Sequence, residues 1–136
     1  MNGKIDFKKA LIERVAILQG QPTEILENLK LSINLNDGAI ELIRTMKFNN
    51  AITVLVSGGF TFLTEYLKNS LGFDYSHANS LEISQTNALN QHLTGKVAGQ
   101  ILDKNAKALY LAQYVKNNEL EYEDTICVGD GANDIE

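Results

Sequence analysis

Ser57-Gly58-Gly59 is the first place in this sequence where residue types and spacing add up to chemistry. The three residues close an apolar, β-branched run and open a helical pattern. Free backbone N–H groups at a helix N-terminus bind anions, and glycines let an anion approach the backbone closely. Ser57 adds a hydroxyl donor, and α/β proteins place ligands at the carboxyl ends of parallel strands. A tight turn that needs glycine for backbone reasons alone is the other reading of the same letters. A second run, Gly129-Asp130-Gly131-Ala132-Asn133-Asp134, also follows an apolar stretch. Asp130, Asn133 and Asp134 offer two carboxylates and an amide, donors that suit a hard cation such as Mg²⁺. The alternating ligands and late glutamate of an EF-hand are missing. An Asp/Gly turn with Asn133 or Asp134 capping a helix accounts for the same residues. Lys107 precedes that run on a helical stretch, where a lysine is by default solvated. Phe7 and Arg14 are seven positions apart, two helical turns, and so share a face. Phe7 is most simply core and Arg14 most simply a surface charge. His77 and His92 have no partner at ligand spacing and read as structural. Cys127 lies inside an apolar run and reads as packing rather than nucleophile.

Periodicity supplies the elements that must position these groups. Phe7, Leu11, Val15 and Leu18 form one helical stripe, broken by Gly20 and Pro22. Pro22 suits the start of a second short helix, Thr23 to Leu31, with Ile25, Leu26 and Leu29 on its apolar face. Asp37 to Phe48 predicts a helix with Ala39, Ile40, Ile43 and Met46 inward. Ala51 to Val56 is a continuous apolar run, the pattern of a strand buried on both faces. A helix from Phe60 to Ser70 follows the Ser57-Gly58-Gly59 turn, capped by Gly72. Short strands are expected at Tyr75–Ala78, at Leu81–Ile83 and Leu93–Val97 as a hairpin around a polar loop, and at Thr125–Val128. A helix is expected from about Asn105 to Asn118. This alternation predicts an α/β fold with a parallel sheet. Only Ile135 and Glu136 follow Asp134, and the chain opens on two helices without a strand, so both ends are expected to be cut.

Composition bounds the function classes. With 136 residues and 15.0 kDa, 44% hydrophobic and 21% charged, the chain is an ordinary globular one. It is neither a disordered tail, a fibrous repeat nor a coiled coil. Twelve basic against 17 acidic residues give −5 at pH 7, which disfavours phosphate-backbone binding to nucleic acid. A single cysteine excludes an internal disulfide framework and fits a reducing compartment. A membrane span needs roughly 20 apolar residues, and no such run or signal peptide is present. The expectation is a soluble, cytoplasmic protein without nucleic-acid or membrane partners; oligomeric state is not legible.

Val54-Leu55-Val56-Ser57-Gly58-Gly59-Phe60-Thr61 resembles the second motif of the phosphoserine phosphatases, aspartate-nucleophile enzymes of the haloacid dehalogenase superfamily. Val128-Gly129-Asp130-Gly131-Ala132-Asn133-Asp134 is similar to their fourth motif nearly letter for letter. Lys107 stands 23 positions before Asp130 and resembles the lysine of motif three. Leu71-Gly72-Phe73-Asp74-Tyr75 and Leu93-Thr94-Gly95-Lys96-Val97 resemble sequence between motifs. Gly3-Lys4-Ile5-Asp6-Phe7 through Glu13-Arg14-Val15 is similar to the helical cap inserted after motif one. The resemblance covers the whole chain and implies a three-layer, parallel-sheet α/β core at 37–136 with a partial helical cap at 1–36. It implies that Ser57 and Gly58 hold the transferring phosphoryl group and that Lys107 neutralises its charge. Asp130 and Asp134 would ligate Mg²⁺, with Asn133 supporting metal and phosphate. Arg14 would pair with the carboxylate of O-phosphoserine, Phe7 would pack over the serine moiety, and Met1 would lie near the substrate. The implied reaction is dephosphorylation of O-phosphoserine to serine through an aspartyl-phosphate, the last step of serine biosynthesis.

The first motif of that family, Asp-x-Asp-x-Thr, supplies the nucleophile and the general acid, and it is nowhere in this sequence. The chain is therefore expected to be a truncated copy, inactive and poorly folded by itself. Another small-molecule phosphomonoesterase of the same superfamily, or a non-catalytic phosphate- or metal-binding remnant, are the alternatives.

Overall fold

The computed structural model describes residues 6–87 and 90–129, and the chain divides between Ile101 and Leu102 into two compact units. In the first unit, helix α1 (Phe7–Ala16) starts at Asp6, whose carboxylate accepts from the Lys8 N–H at 3.2 Å. This is an N-cap of the usual kind. Its stripe buries Val15, while Phe7 at the N-terminal end stays 46% exposed. Helix α2 (Glu24–Leu31) buries Leu26, and α3 (Ala39–Phe48) buries Ile43. Strand β1 (Val54–Phe60) leads directly into α4 (Thr61–Leu71), which ends at Gly72 with φ +83°, the expected glycine cap.

Among the described residues three strands form the sheet, in the order β1–β2–β3. Strand β1 pairs in parallel with β2 (Tyr75–Asn87), with Val54 opposite Tyr75 and Val56 opposite His77. Strand β2 turns back as a long antiparallel hairpin with β3 (Asn90–Ala98). The α/β class and the parallel pairing follow the sequence expectation. The two short strands expected at Tyr75–Ala78 and Leu81–Ile83 are one continuous strand, because the polar Asn79 and Ser80 between them stay in the ladder.

The link between α1 and α2 docks onto β3. The Gly20 N–H donates to the Leu93 carbonyl at 2.8 Å, and the Leu93 N–H donates to the Gln21 carbonyl at 2.8 Å. Pro22, expected to open the second helix, instead forms a bridge opposite His92, and the helix begins at Glu24. Proline lacks an N–H and none is needed at this position: the flanking Gln21 carbonyl and Thr23 N–H bond to Leu93 and Gln91, while the Pro22 carbonyl accepts from the Ile25 N–H at 3.3 Å. Gly95 makes the docking close: its φ is +79°, and a Cβ there would stand 2.9 Å from Gln19 Cβ.

The second unit carries α5 (Lys104–Asn117), capped by Asp103, whose carboxylate accepts from the Ala106 N–H at 3.2 Å. A 3₁₀ turn at Tyr122–Asp124 follows. The strand expected at Thr125–Val128 is not formed. Residues 125–129 have no ladder, and Ile126, Cys127 and Val128 are exposed. A strand requires a partner, and the described residues of this unit contain no other strand. The reading of Cys127 as a packed core residue is corrected by the same observation. Among the described residues, no helix is long and apolar enough to cross a membrane.

Candidate functional site

Of the candidate residues of the first unit, Phe7, Ser57 and Gly58 come together near the end of β1. Ser57-Gly58-Gly59 was expected as a turn after a strand ending at Val56; in the structure it lies within β1 as a bulge. Val56 pairs with His77, but the next paired residues are Phe60 and Asn79. Three residues of β1 therefore stand where β2 has only Ala78, and the surplus is taken up at Ser57-Gly58-Gly59. Bulges of this kind re-aim backbone groups out of a ladder and are common beside active sites. Helix α4 begins immediately after, at Thr61.

The Gly58–Gly59 peptide is held from both sides. Asn79 Nδ2 donates to the Gly58 carbonyl at 2.9 Å, and the Gly59 N–H donates to Ser57 Oγ at 3.0 Å. The Gly59 N–H is thus engaged internally, and is not one of the free backbone donors that the sequence suggested. Ser57 Oγ accepts that bond and keeps its own proton, which has no acceptor among the described residues. A hydroxyl in this state is a ready donor to an anionic oxygen.

Phe7 joins this site from α1. A Cβ at Gly58 would lie 3.3 Å from Phe7 Cζ, so the ring rests on the glycine backbone where any side chain would crowd it. Two residues 51 positions apart, singled out separately in the sequence, are in contact. Arg14 lies two turns further along α1, is exposed, and makes no ion pair or hydrogen bond with the described residues. Lys107 is the fourth residue of α5 in the second unit. Met1, Asp130, Asn133 and Asp134 lie outside the described residues. Among the described residues no group of three or more His, Cys, Asp or Glu could hold a metal ion.

His77 and His92 both lie on strands of the sheet, His77 on β2 and His92 on β3. Burial pushes the His77 imidazole below its ordinary range; the Glu65 carboxylate opposes this and Lys68 adds to it. His92 is exposed on β3 and faces Ser84 and Pro22 across the backbone. Glu65 accepts from the Ser76 hydroxyl, which together with Lys68 holds its carboxyl below the usual range despite some desolvation.

Sequence reasoning missed Asn79. It is 1% exposed, the most buried polar side chain of the unit. An amide inside an otherwise buried strand must find partners, and that requirement was the available signal. The Asp74–Thr53 pair was also missed: the Thr53 N–H and Oγ1 donate to Asp74 Oδ2 at 2.8 and 2.9 Å, and Lys47 closes the group from α3.

Fold and site together define an α/β protein with a serine- and glycine-containing bulge where a parallel strand meets a helix. More narrowly, the chain belongs to the haloacid dehalogenase-like hydrolase family, whose family model matches residues 3–136. It is 43% identical over 135 residues to a phosphoserine phosphatase of Lactococcus lactis, covering 99% of this chain and 60% of that protein. It is 42% identical over 134 residues to a phosphoserine phosphatase of Archaeoglobus fulgidus, covering 98% of this chain and 38% of that protein. Among solved structures it matches a probable phosphoserine phosphatase from Vibrio cholerae in unliganded form, with TM-score 0.88 and 35% identity. That match covers 99% of this chain and 40% of the other. A substrate-bound phosphoserine phosphatase complex matches with TM-score 0.86 and 38% identity, over 99% of this chain and 62% of the other. The chain thus spans between 38% and 60% of the length of the two sequence relatives named.

Proposed function

We propose that this chain carries the phosphate site, the substrate-facing helix and the metal-binding run of a phosphoserine phosphatase, a hydrolase that releases phosphate from O-phosphoserine. The observation that carries the reading is Phe7 seated on Gly58 beside the Ser57 hydroxyl, whose proton has no acceptor among the described residues. An apolar wall directly against an anion donor suits a small phosphomonoester with a short carbon skeleton, and the relatives named above share most of this chain's length. Residues 1–36 then serve as a partial helical cap and residues 37–136 as the core. A cytoplasmic location accords with the single cysteine.

Phosphoryl transfer depends on in-line positioning and on neutralising the equatorial oxygens. Ser57 Oγ–H and the backbone at Gly58 bind the phosphoryl oxygens. Lys107, by its resemblance to the motif-three lysine of the family, would neutralise their charge. Phe7 excludes water from one side of the carbon skeleton, and Arg14 offers a planar fork to the substrate carboxylate, with Met1 near it. A divalent cation, Mg²⁺ on this reading, fits the donor chemistry of Asp130 and Asp134, with Asn133 beside them. When bound, it neutralises phosphate charge. The phosphoryl group passes to a carboxylate as the seryl oxygen leaves and takes a proton; water then cleaves the acyl phosphate to inorganic phosphate. These 136 residues contain no Asp-x-Asp-x-Thr run, so that carboxylate is not assigned to any of them.

The test is phosphate release from O-phosphoserine with Mg²⁺, by the natural protein that contains these residues and by its Ser57→Ala variant. Turnover in the first and a large loss in the second is the expected result. Release that is indifferent to Ser57 would overturn the reading.

A further inference from the structure

We propose that Asn79 is a positioning residue for the Ser57 hydroxyl, acting through the Gly58–Gly59 peptide. The proposal rests on the phosphate role given to Ser57 above. The register of β1 and β2 sets up the need for it. Val56 pairs with His77 and Phe60 with Asn79, so Gly58 falls in the bulge, where its carbonyl is out of the regular ladder. Glycine stands on both sides of this peptide, and with no Cβ at either position the backbone itself does little to stop the unit from rotating.

Asn79 supplies the restraint. Its side chain is 1% exposed and its Nδ2 donates to the Gly58 carbonyl at 2.9 Å. A peptide unit is planar, so fixing its carbonyl fixes the N–H on the opposite edge. That N–H belongs to Gly59, and it donates to Ser57 Oγ at 3.0 Å. Ser57 Oγ is thereby held as an acceptor toward the backbone, which leaves its proton for the oxyanion. The closeness of the arrangement is visible at Gly59, where a Cβ would stand 3.1 Å from Ser57 Oγ. Asn79 never touches the ligand in this scheme; it determines which way the serine donates.

The experiment is a double-mutant cycle in the natural protein, with Asn79→Ala, Ser57→Ala and the pair, read as kcat/KM for O-phosphoserine. Asn79→Ala is expected to cost about tenfold or more in the presence of Ser57, and less than about twofold once Ser57 is alanine. A loss of the same size in both backgrounds would overturn the proposal, since that is what a general packing role gives. Asn79→Asp keeps the shape and removes the NH₂ donor, and serves in the same cycle if the alanine variant does not fold. A second readout does not need turnover: amide hydrogen exchange at Gly59 is expected to speed up about tenfold in the Asn79 variant, with Leu81 further along β2 unchanged. Unaltered exchange at Gly59 would overturn the proposal, whatever the activity. Absence of phosphate release in the unsubstituted protein would instead remove the functional reading, while the exchange comparison still decides the role of Asn79.

Discussion

Lys107 lies in the first turn of α5, where a cation opposes the helix macrodipole by about 0.3–1 kcal/mol. If it neutralises the phosphoryl oxygens, Lys107→Ala should lower turnover by about two orders of magnitude, since one preorganised electrostatic group contributes roughly 3 kcal/mol. Lys116→Ala, at the exposed far end of the same helix, should change turnover by less than about twofold, as solvated lysines do. Steady-state kcat of the two variants decides it, and equal losses would refute the assignment. Arg14 calls for a different comparison. It is exposed and makes no ion pair with the described residues. Pairing with a substrate carboxylate is worth about 1.5–3 kcal/mol. Arg14→Ala should therefore reduce kcat/KM for O-phosphoserine by about 10- to 100-fold. Hydrolysis of p-nitrophenyl phosphate, which has no carboxylate, should stay within about twofold. A uniform loss on both substrates would make Arg14 structural.

At the scale of elements, the docking of the α1–α2 link on β3 turns on Gly95. An alanine there meets two obstacles: φ of +79°, and a Cβ 2.9 Å from Gln19 Cβ and 3.2 Å from the Ala16 carbonyl. Gly72 has a similar φ of +83° but open space around it. Gly72→Ala should cost about 1 kcal/mol for the backbone alone. Gly95→Ala should cost about 2–4 kcal/mol, because strain and overpacking add. Urea unfolding of both variants measures the difference, and equal costs would show that the link yields without resistance. Gly95 also marks what the sequence could and could not disclose. Helices with a clear stripe, such as α1 around Val15, were legible, and so was the glycine end of α4, because those signals are local. The bulge in β1 was not legible, since it exists only through register with β2. Asn79 was hidden for the same reason: its partner is a carbonyl 21 positions away. Thr125–Val128 misled in the opposite direction. Its apolar, β-branched letters describe a strand, but a strand forms only against a neighbour. The contact of Phe7 with Gly58 was not legible either, because periodicity assigns Phe7 to core and is silent on what it covers.

For the molecule as a whole, the group of Asp74, Thr53 and Lys47 predicts how stability should depend on pH. Asp74 stands just before β2, Thr53 just before β1, and Lys47 near the end of α3, so one carboxylate ties three elements together. Burial alone would raise the Asp74 carboxyl. The hydrogen bonds from Lys47, the Thr53 N–H and Thr53 Oγ1, with the Lys47 charge, outweigh burial and hold it below the usual carboxylate range. A carboxyl whose pKa is depressed on folding stabilises the folded state wherever it is ionised in both states. That contribution fades as pH falls through the unfolded value, about 3.9, toward the folded one, and is gone below both. Asp74→Asn should therefore lower stability by about 1–2 kcal/mol near neutral pH, the modest end for a charged hydrogen bond because the Asp74 side chain is 30% exposed. The deficit should shrink as pH falls below about 4, where the unsubstituted protein loses the same interaction. Thr53→Val should reproduce part of the neutral-pH loss, since Thr53 is 6% exposed and Oγ1 has Asp74 as its partner. Lys47→Met should cost less than about 1 kcal/mol, because its side chain is 41% exposed and its charge is screened. Urea midpoints of the four proteins at neutral and acid pH test the order. A deficit for Asp74→Asn that stays constant down to the most acid point would mean that the group acts through packing and not through its charge.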